Sequence, residues 1–237
     1  MLEDVQFNIK IAGLIVRMNS RYETLRDFCA DYLTDEDNFD ITASVSESEI
    51  DGEMGAYETP FSRQYCENVC LYRSIAEQLP ELDRLVFHGA AVKAFEKAYV
   101  FTAPSGTGKT THIRLLTEYF GDRVSIINGD KPIIKISDGK AEVFSTPWAG
   151  KERWQTNTCA DLGGIILLKR GKVNSIRRIS PAEYFSELMK QVYIPKNGEM
   201  MLKTLDLVDV LAKQTAFYLL ECDMSEDAAK TSFSIMK

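Results

Sequence analysis

Apolar residues along this chain recur at two spacings, one suited to strands and one to helices. From Phe7 to Val16 they alternate and then run together, as in a strand, and Phe39 to Val45 reads as another. Between them, Tyr22 to Leu33 carries helical spacing. The acidic, glycine-containing stretch Glu47 to Gly55 breaks the pattern and reads as a loop or hairpin with a solvated face. Phe61, Tyr65, Val69, Tyr72, Ile75, Ala76 and Leu79 then share one stripe of a long helix, which Pro80 terminates. Two short apolar runs follow, Leu85 to Val92 and Ala98 to Thr102. The few residues between them predict an antiparallel hairpin, since a parallel crossover needs a dozen or more.

Ile113, Leu115, Leu116 and Tyr119 have helical spacing, and Val124 to Ile127 is a strand that leads to Asp130. Pro132 to Ile136 and Ala141 to Phe144 predict a second hairpin, turning at Asp138-Gly139. Further strands fall at Gly163 to Lys169, Ser175 to Ile179 and Ala216 to Leu220. Helices start at Pro181, capped by Ser180, and after Ser225. Strands and helices interleave, so the fold class is α/β. Residues 1–80 read as an N-terminal α/β elaboration packed on the same domain as residues 81–237.

Composition narrows the classes of function. The net charge of −7, without a Lys/Arg cluster beyond short pairs, argues against nucleic acid as a partner. No apolar run reaches membrane-span length, and Met1-Leu-Glu-Asp lacks the order of a signal peptide; the expectation is a cytoplasmic protein without a membrane partner. Five cysteines, an odd count without zinc spacing, fit reduced thiols, with Cys66 and Cys70 in the core. A homo-oligomer is compatible with all of this.

Candidate chemistry centres on Ala103-Pro-Ser-Gly-Thr-Gly-Lys-Thr-Thr, which lies between an apolar strand and a helical pattern. A phosphate-binding loop needs small residues so that successive amides can converge on phosphate oxygens, a helix N-terminus, a lysine and a hydroxyl for magnesium. Ser105, Gly106, Thr107, Gly108, Lys109, Thr110 and Thr111 supply these parts. Asp130, at the end of a following strand, is the candidate to complete a magnesium site with Thr110 or to deprotonate an acceptor hydroxyl. A following strand is expected to bring it beside Thr110. His88, inside the preceding apolar strand, is a candidate neighbour of that acid, whereas His112 reads as a structural or surface residue. The loop Ser145 to Asn157 carries two tryptophans with Lys151 and Arg153, cations suited to transferring phosphoryl oxygens or an anionic acceptor, as is Lys131.

His88-Gly-Ala-Ala-Val, the phosphate loop, Asn128-Gly-Asp-Lys-Pro and Thr146-Pro-Trp-Ala-Gly-Lys-Glu, in that order, resemble the HPr kinase and phosphoenolpyruvate carboxykinase superfamily, in particular its small HPr-kinase-related proteins. The resemblance runs from Leu85 to the C-terminus. It implies a P-loop kinase fold, a mixed β-sheet flanked by helices whose phosphate-loop strand has an antiparallel neighbour, with residues 81–237 as the nucleotide-binding, kinase-like domain. It also implies residues 105–111 on nucleotide phosphates, Thr110 and Asp130 on a divalent ion, and His88 beside that acid. The chain departs from the family at Gly129, where paired acids are usual. The expected activity is an ATP- and Mg2+-dependent phosphotransferase acting on a hydroxyl of a small molecule, peptide or protein, with Lys109, Asp130, His88, Lys151 and Arg153 as its catalytic set. The rival readings are a non-catalytic nucleotide-binding sensor or partner-binding module, and an ATP hydrolase.

Overall fold

Ala12 and Gly13 both take left-handed backbone, with φ of +50° and +74°. The first apolar run therefore turns back on itself and is two strands, not the single one its alternation predicts. The computed structural model describes residues 5–59, 61–137 and 139–236. In it β1 (Val5–Ile11) and β2 (Leu14–Ser20) form a hairpin. After α1 (Glu23–Phe28) come β3 (Leu33–Thr34) and β4 (Ile41–Ala43), giving a four-stranded sheet ordered β3-β1-β2-β4.

The acidic stretch is a helix, α2 (Glu47–Gly55), not a loop. Ser46 accepts from the Glu49 amide while the Glu49 carboxylate accepts from the Ser46 amide, a reciprocal cap that outweighs the two glycines. Its acids are only partly solvated: Glu53 is buried against Arg73, and Glu47 pairs with Arg21 and Arg63. The long helix α3 (Arg63–Gln78) ends before Pro80 as expected. Its buried face is rotated from the predicted stripe. Cys66, Cys70 and Leu71 lie inside, whereas Phe61 and Tyr65 are 44% and 46% exposed. Leu71, Ile75 and Leu79 join the apolar side of the first sheet to Val86 and Ile133 of the second, so both sheets contribute to one cluster.

The second sheet holds β5 (Arg84–Val86), β6 (Ala90–Ala94) and β7 (Lys97–Thr102), and after α4 (Lys109–Phe120) come β8 (Val124–Asn128), β9 (Ile133–Ser137) and β10 (Lys140–Phe144). β11 (Cys159–Arg170), β12 (Ser175–Ile179), α5 (Pro181–Met189), α6 (Gly198–Gln214), β13 (Phe217–Cys222) and α7 (Glu226–Phe233) complete the chain. The order is β5-β9-β10-β11-β7-β6-β8, with β13 beside β11 and β12 beside β13. β6 and β7 are antiparallel, as their short connection predicts, while β11 runs parallel to both β7 and β13. The β9/β10 hairpin is also present, with Ser137 opposite Lys140 and Gly139 at φ +74°. The predicted turn residue Asp138 lies outside the described residues, as does the Met1–Asp4 segment.

The run Leu85 to Val92 is not one strand. It breaks at Phe87–Gly89, so His88 lies between β5 and β6 instead of inside a strand. Bonds from Phe87 N to Pro132 O (3.0 Å) and Gly89 N to Asp130 O (2.9 Å) carry antiparallel pairing through the break, and the sheet curls there. Gly89 is required: a Cβ would sit 2.8 Å from Val100 Cγ1 and 2.9 Å from Phe101 O.

Helices cover the curled sheet on opposite sides of its core. α5 and α6 bury Tyr184, Leu188, Val208 and Leu211 in one cluster; α4 and α7 bury Ile113, Leu116, Ala228 and Ala229 in another. Ser180 caps α5 through a capping box with Glu183. Ser225 precedes α7 but gives its hydroxyl to Asp223 instead of the helix amides. α6 was not expected from the apolar spacing, although Asn197 caps it by accepting from the Glu199 and Met200 amides. All five cysteines are free, and no described helix is long and apolar enough to cross a membrane.

Candidate functional site

The candidate phosphate loop leaves the C-terminal end of β7, a strand buried along nearly its whole length. Gly106 and Gly108 have φ of +75° and +117°, the left-handed backbone that lets a tight loop turn its amides toward one side. Gly108 is the N-cap residue of α4, and no side chain caps that helix, so its first amides remain free for an external acceptor. Arg170, at the end of β11, holds the loop's other face: Nε donates to Thr107 O (2.9 Å) and Nη2 to Gly106 O (2.7 Å). Because both carbonyls point to the guanidinium, the loop's peptide planes are fixed. Sequence reading did not single out Arg170, because only the β7–β11 register brings it to the loop.

Asp130 is held by a second device. Asn128 is fully buried, and its Oδ1 accepts from the amides of Asp130 (2.9 Å) and Lys131 (2.7 Å) while its Nδ2 donates to Thr146 O (2.9 Å). Thr146 in turn donates to Lys131 O, and Ser145 to Ile127 O. An Asx turn locked to the neighbouring loop therefore presents Asp130 and Lys131. The sequence held the signal, an Asn two residues before the acid. The partners Ser145 and Thr146 carried none.

Gly129 has a physical explanation. A Cβ there would lie 2.7 Å from Ala149 O and 3.4 Å from Trp154 Cβ, so the backbone of the tryptophan-containing loop fills the place of a second acid. Gly150 also packs on the acid, where a Cβ would meet Asp130 Cβ at 3.2 Å.

The structure brings Lys109, His88, Asp130 and Lys131 together. Lys109 Nζ is 3.3 Å from His88 Nε2, the same Nε2 is 3.3 Å from Asp130 Oδ1, and Lys131 Nζ donates to Asp130 Oδ2 at 2.6 Å. A single ring nitrogen cannot accept from the ammonium and donate to the carboxylate at once, so the cluster has two proton arrangements. Burial pulls the Lys109 ammonium below its usual range, partly offset by the charge of Asp130. Burial alone would raise the Asp130 carboxyl, but the His88 hydrogen bond and the charge of Lys131 outweigh it and hold the acid well below the usual carboxylate range.

The site is also where the two sheets meet. Tyr72 of α3 lies 5.3 Å, centroid to centroid, from the ring of Trp148, whose Nε1 donates to Asn68. Burial first, and then the charge of Asp130, raise the Tyr72 phenol. The Tyr32 hydroxyl donates to Ser145 Oγ.

Other predicted residues fall elsewhere. Arg153 packs its guanidinium over the Phe28 ring, 5.0 Å from the centroid, and donates to Phe28 O, so it is engaged with α1 and not with the acid cluster. Lys151 is exposed on the loop beside Gly150. Thr110 and Ser105 are exposed; β8 pairs with β6 instead of β7, so Asp130 is not on the strand next to the loop, and Thr110 shares no hydrogen bond with it. His112 is structural, as expected. It is buried against Phe101, bonds Ser232 Oγ through Nε2 at 2.9 Å, and has its pKa pulled down to about 4 by burial.

No protein-family model matches the chain, and no curated protein matches it in sequence. Among solved structures it is similar to the HPr(Ser) kinase/phosphatase from Coxiella burnetii, with 11% identity and a TM-score of 0.32 over 52% of this chain and 93% of that one. A likeness so slight carries no argument. The architecture itself is a curled mixed sheet flanked by helices.

Proposed function

We propose that the chain is an ATP- and Mg2+-dependent phosphotransferase of the HPr-kinase type that transfers a phosphoryl group to a hydroxyl of a small molecule, peptide or protein. One observation carries this reading: the phosphate-loop lysine and Asp130 meet through a shared His88 nitrogen, at 3.3 Å on each side. A carboxylate there can hold the metal of a bound nucleotide, and it can also orient or deprotonate an acceptor hydroxyl near the donor phosphate, the role phosphoryl transfer needs.

The residues present fit both a nucleotide and its metal. Free α4 amides, carbonyls turned away toward Arg170, and Lys109 and Lys131 around one acid leave positive potential for polyphosphate. Among the described residues no group of three or more His, Cys, Asp or Glu side chains gathers that could hold a metal alone. That suits Mg2+, which takes one or two protein oxygens and completes its shell from phosphates and water; Thr110 and Asp130 would supply those oxygens. When bound, the ion neutralises charge developing on the transferring group. Lys109 turning to phosphate frees His88 Nε2 to donate to Asp130, which keeps the carboxylate oriented toward an acceptor hydroxyl. The Trp148–Gly150 segment, packed against Gly129 and Asp130, excludes water from that side.

A second reading has its own observation. The Ala149 carbonyl occupies the second acid's place, which would suit a nucleotide-binding sensor without transfer. Incubating the purified chain with γ-labelled ATP, Mg2+ and extracts of small molecules and peptides separates the readings. A labelled acceptor supports the transferase, free phosphate alone supports hydrolysis, and tight binding without turnover supports the sensor.

A further inference from the structure

The curled sheet has three strands with a single pairing partner, β5, β8 and β12. Two of them are closed off by segments outside the sheet. Along β5, Tyr193 N donates to Val86 O at 3.1 Å; along β8, Thr156 N donates to Ile127 O at 3.1 Å, and the Ser145 hydroxyl reaches the same carbonyl. β12 has no such cover. Among the described residues its backbone is paired with β13 alone.

Ile165 N donates to Ala216 O (3.0 Å) and Gly171 N to Cys222 O (2.9 Å), so the even-numbered residues of β13 turn their backbone groups toward β11. Phe217, Leu219 and Glu221 therefore face β12, opposite Ile179, Arg177 and Ser175. The amides and carbonyls of Ile176 and Arg178 point outward from the sheet. Ile176 and Ile179 anchor the strand in the clusters on opposite sides of the sheet, while Ser175, Arg177 and Arg178 are exposed. Arg177 pairs with Glu183 at 3.1 Å; Arg178, and Lys172 in the turn before the strand, have no ion-pair partner among the described residues. Glu221 shares a side of the sheet with Ser175, its facing residue, and so lies on the opposite side from Arg178.

An open edge of this kind accepts a further strand, whose main chain supplies the missing hydrogen bonds while its side chains set the choice of partner. A second copy of the chain fits poorly. In the antiparallel register that overlaps the whole of β12 with itself, Arg177 would face Arg177, and like charges directly opposite each other repel. An acidic strand has the complementary charge, with Arg178 and Lys172 free to meet it. We infer that the β12 edge binds an extended acidic peptide segment by strand addition, with the backbone groups of Ile176 and Arg178 as its main-chain partners. This surface stands whether or not the chain transfers phosphate.

The test uses the full chain and a fluorescein-labelled peptide of alternating valine and glutamate, beside the same peptide with lysine for glutamate. Fluorescence anisotropy is expected to show saturable binding of the acidic peptide, about tenfold tighter than the basic one. Arg178→Ala, an exposed change that removes only the charge, should weaken it about fivefold. Arg178→Pro should weaken it about tenfold further, because proline also removes the outward amide while the bonds to β13 stay in place. In the chain alone the Ile176 and Arg178 amides should exchange with deuterium faster than those of Arg177 and Ile179, and the acidic peptide should slow both. No binding, equal affinity for the two peptides, unchanged affinity in Arg178→Ala, a folded Arg178→Pro no weaker than Arg178→Ala, or exchange at the two amides unaltered by the peptide overturns the proposal. Slower exchange at those amides as the concentration of the chain alone rises would give the edge to a second copy, and overturns it too.

Discussion

Gly129 and Asp130 are neighbours with opposite requirements, one excluding any side chain and the other holding a charge between His88 and Lys131. Gly129→Asp, which restores the paired acids usual in the family it resembles, should destabilise the fold by roughly 1–3 kcal/mol, because the obstruction is a backbone carbonyl that cannot swing aside. Thermal unfolding would show the loss, and an unchanged midpoint would mean that the loop yields. His112 makes a separate prediction. Its unfolded imidazole takes a proton near pH 6.5 but the buried one only near 4, so between these values the unfolded state binds more protons and stability rises with pH. Stability should therefore fall by ~2 kcal/mol as pH drops from 6.5 to 4.5. The Asp130 carboxylate acts in the same sense at lower pH, contributing stability above its unfolded value of 3.8 and losing it below, outside that window. His112→Gln should flatten denaturant-measured stability across the window, and an equally steep decline would assign the effect elsewhere.

At the scale of elements, the bend between β5 and β6 and the turn after β8 are paired structures, joined by the Gly89–Asp130 backbone bond. Removing the Asn128 side chain leaves the Asp130 and Lys131 amides without their acceptor in a largely buried setting. Asn128→Ala should cost roughly 2–3 kcal/mol and loosen Asp130, read as faster hydrogen exchange at both amides. The loop of residues 105–108 opening a helix, the β6/β7 hairpin, the α5 cap and the strand that leads to Asp130 were legible because each has a local signature: small residues before a lysine, a short connector, Ser-Pro-x-Glu, and an acid closing an apolar run. The first hairpin was not read, because Ala12-Gly13 is a weak turn signal inside an apolar run. The break at His88 was equally hidden, since its cause is the tertiary approach of Val100 and Phe101 to Gly89. Helix α2 shows the converse: Ser46-x-x-Glu49 is a local capping signature that the charge and glycines of the stretch mask. Arg170 and Thr146 act through register and loop packing, which no spacing along one chain encodes.

Across the whole molecule, the expected division at residue 80 runs through an apolar cluster. Leu71, Ile75 and Leu79 pack with Val86 and Ile133, and Trp148 of the site loop bonds Asn68. We expect a chain begun at Glu81 to expose this surface, bind a hydrophobic dye and unfold without a cooperative transition; a cooperative, soluble fragment would show that the first 80 residues are dispensable for folding. The central claim concerns the loop and the cluster it meets. Its most direct test is calorimetric titration of the full chain with ATP in Mg2+, beside Lys109→Ala. Saturable binding by the parent and at least tenfold weaker binding by the variant, with the fold intact by circular dichroism, is the predicted result. Equal affinity in the two proteins, or no binding by the parent, would contradict the account.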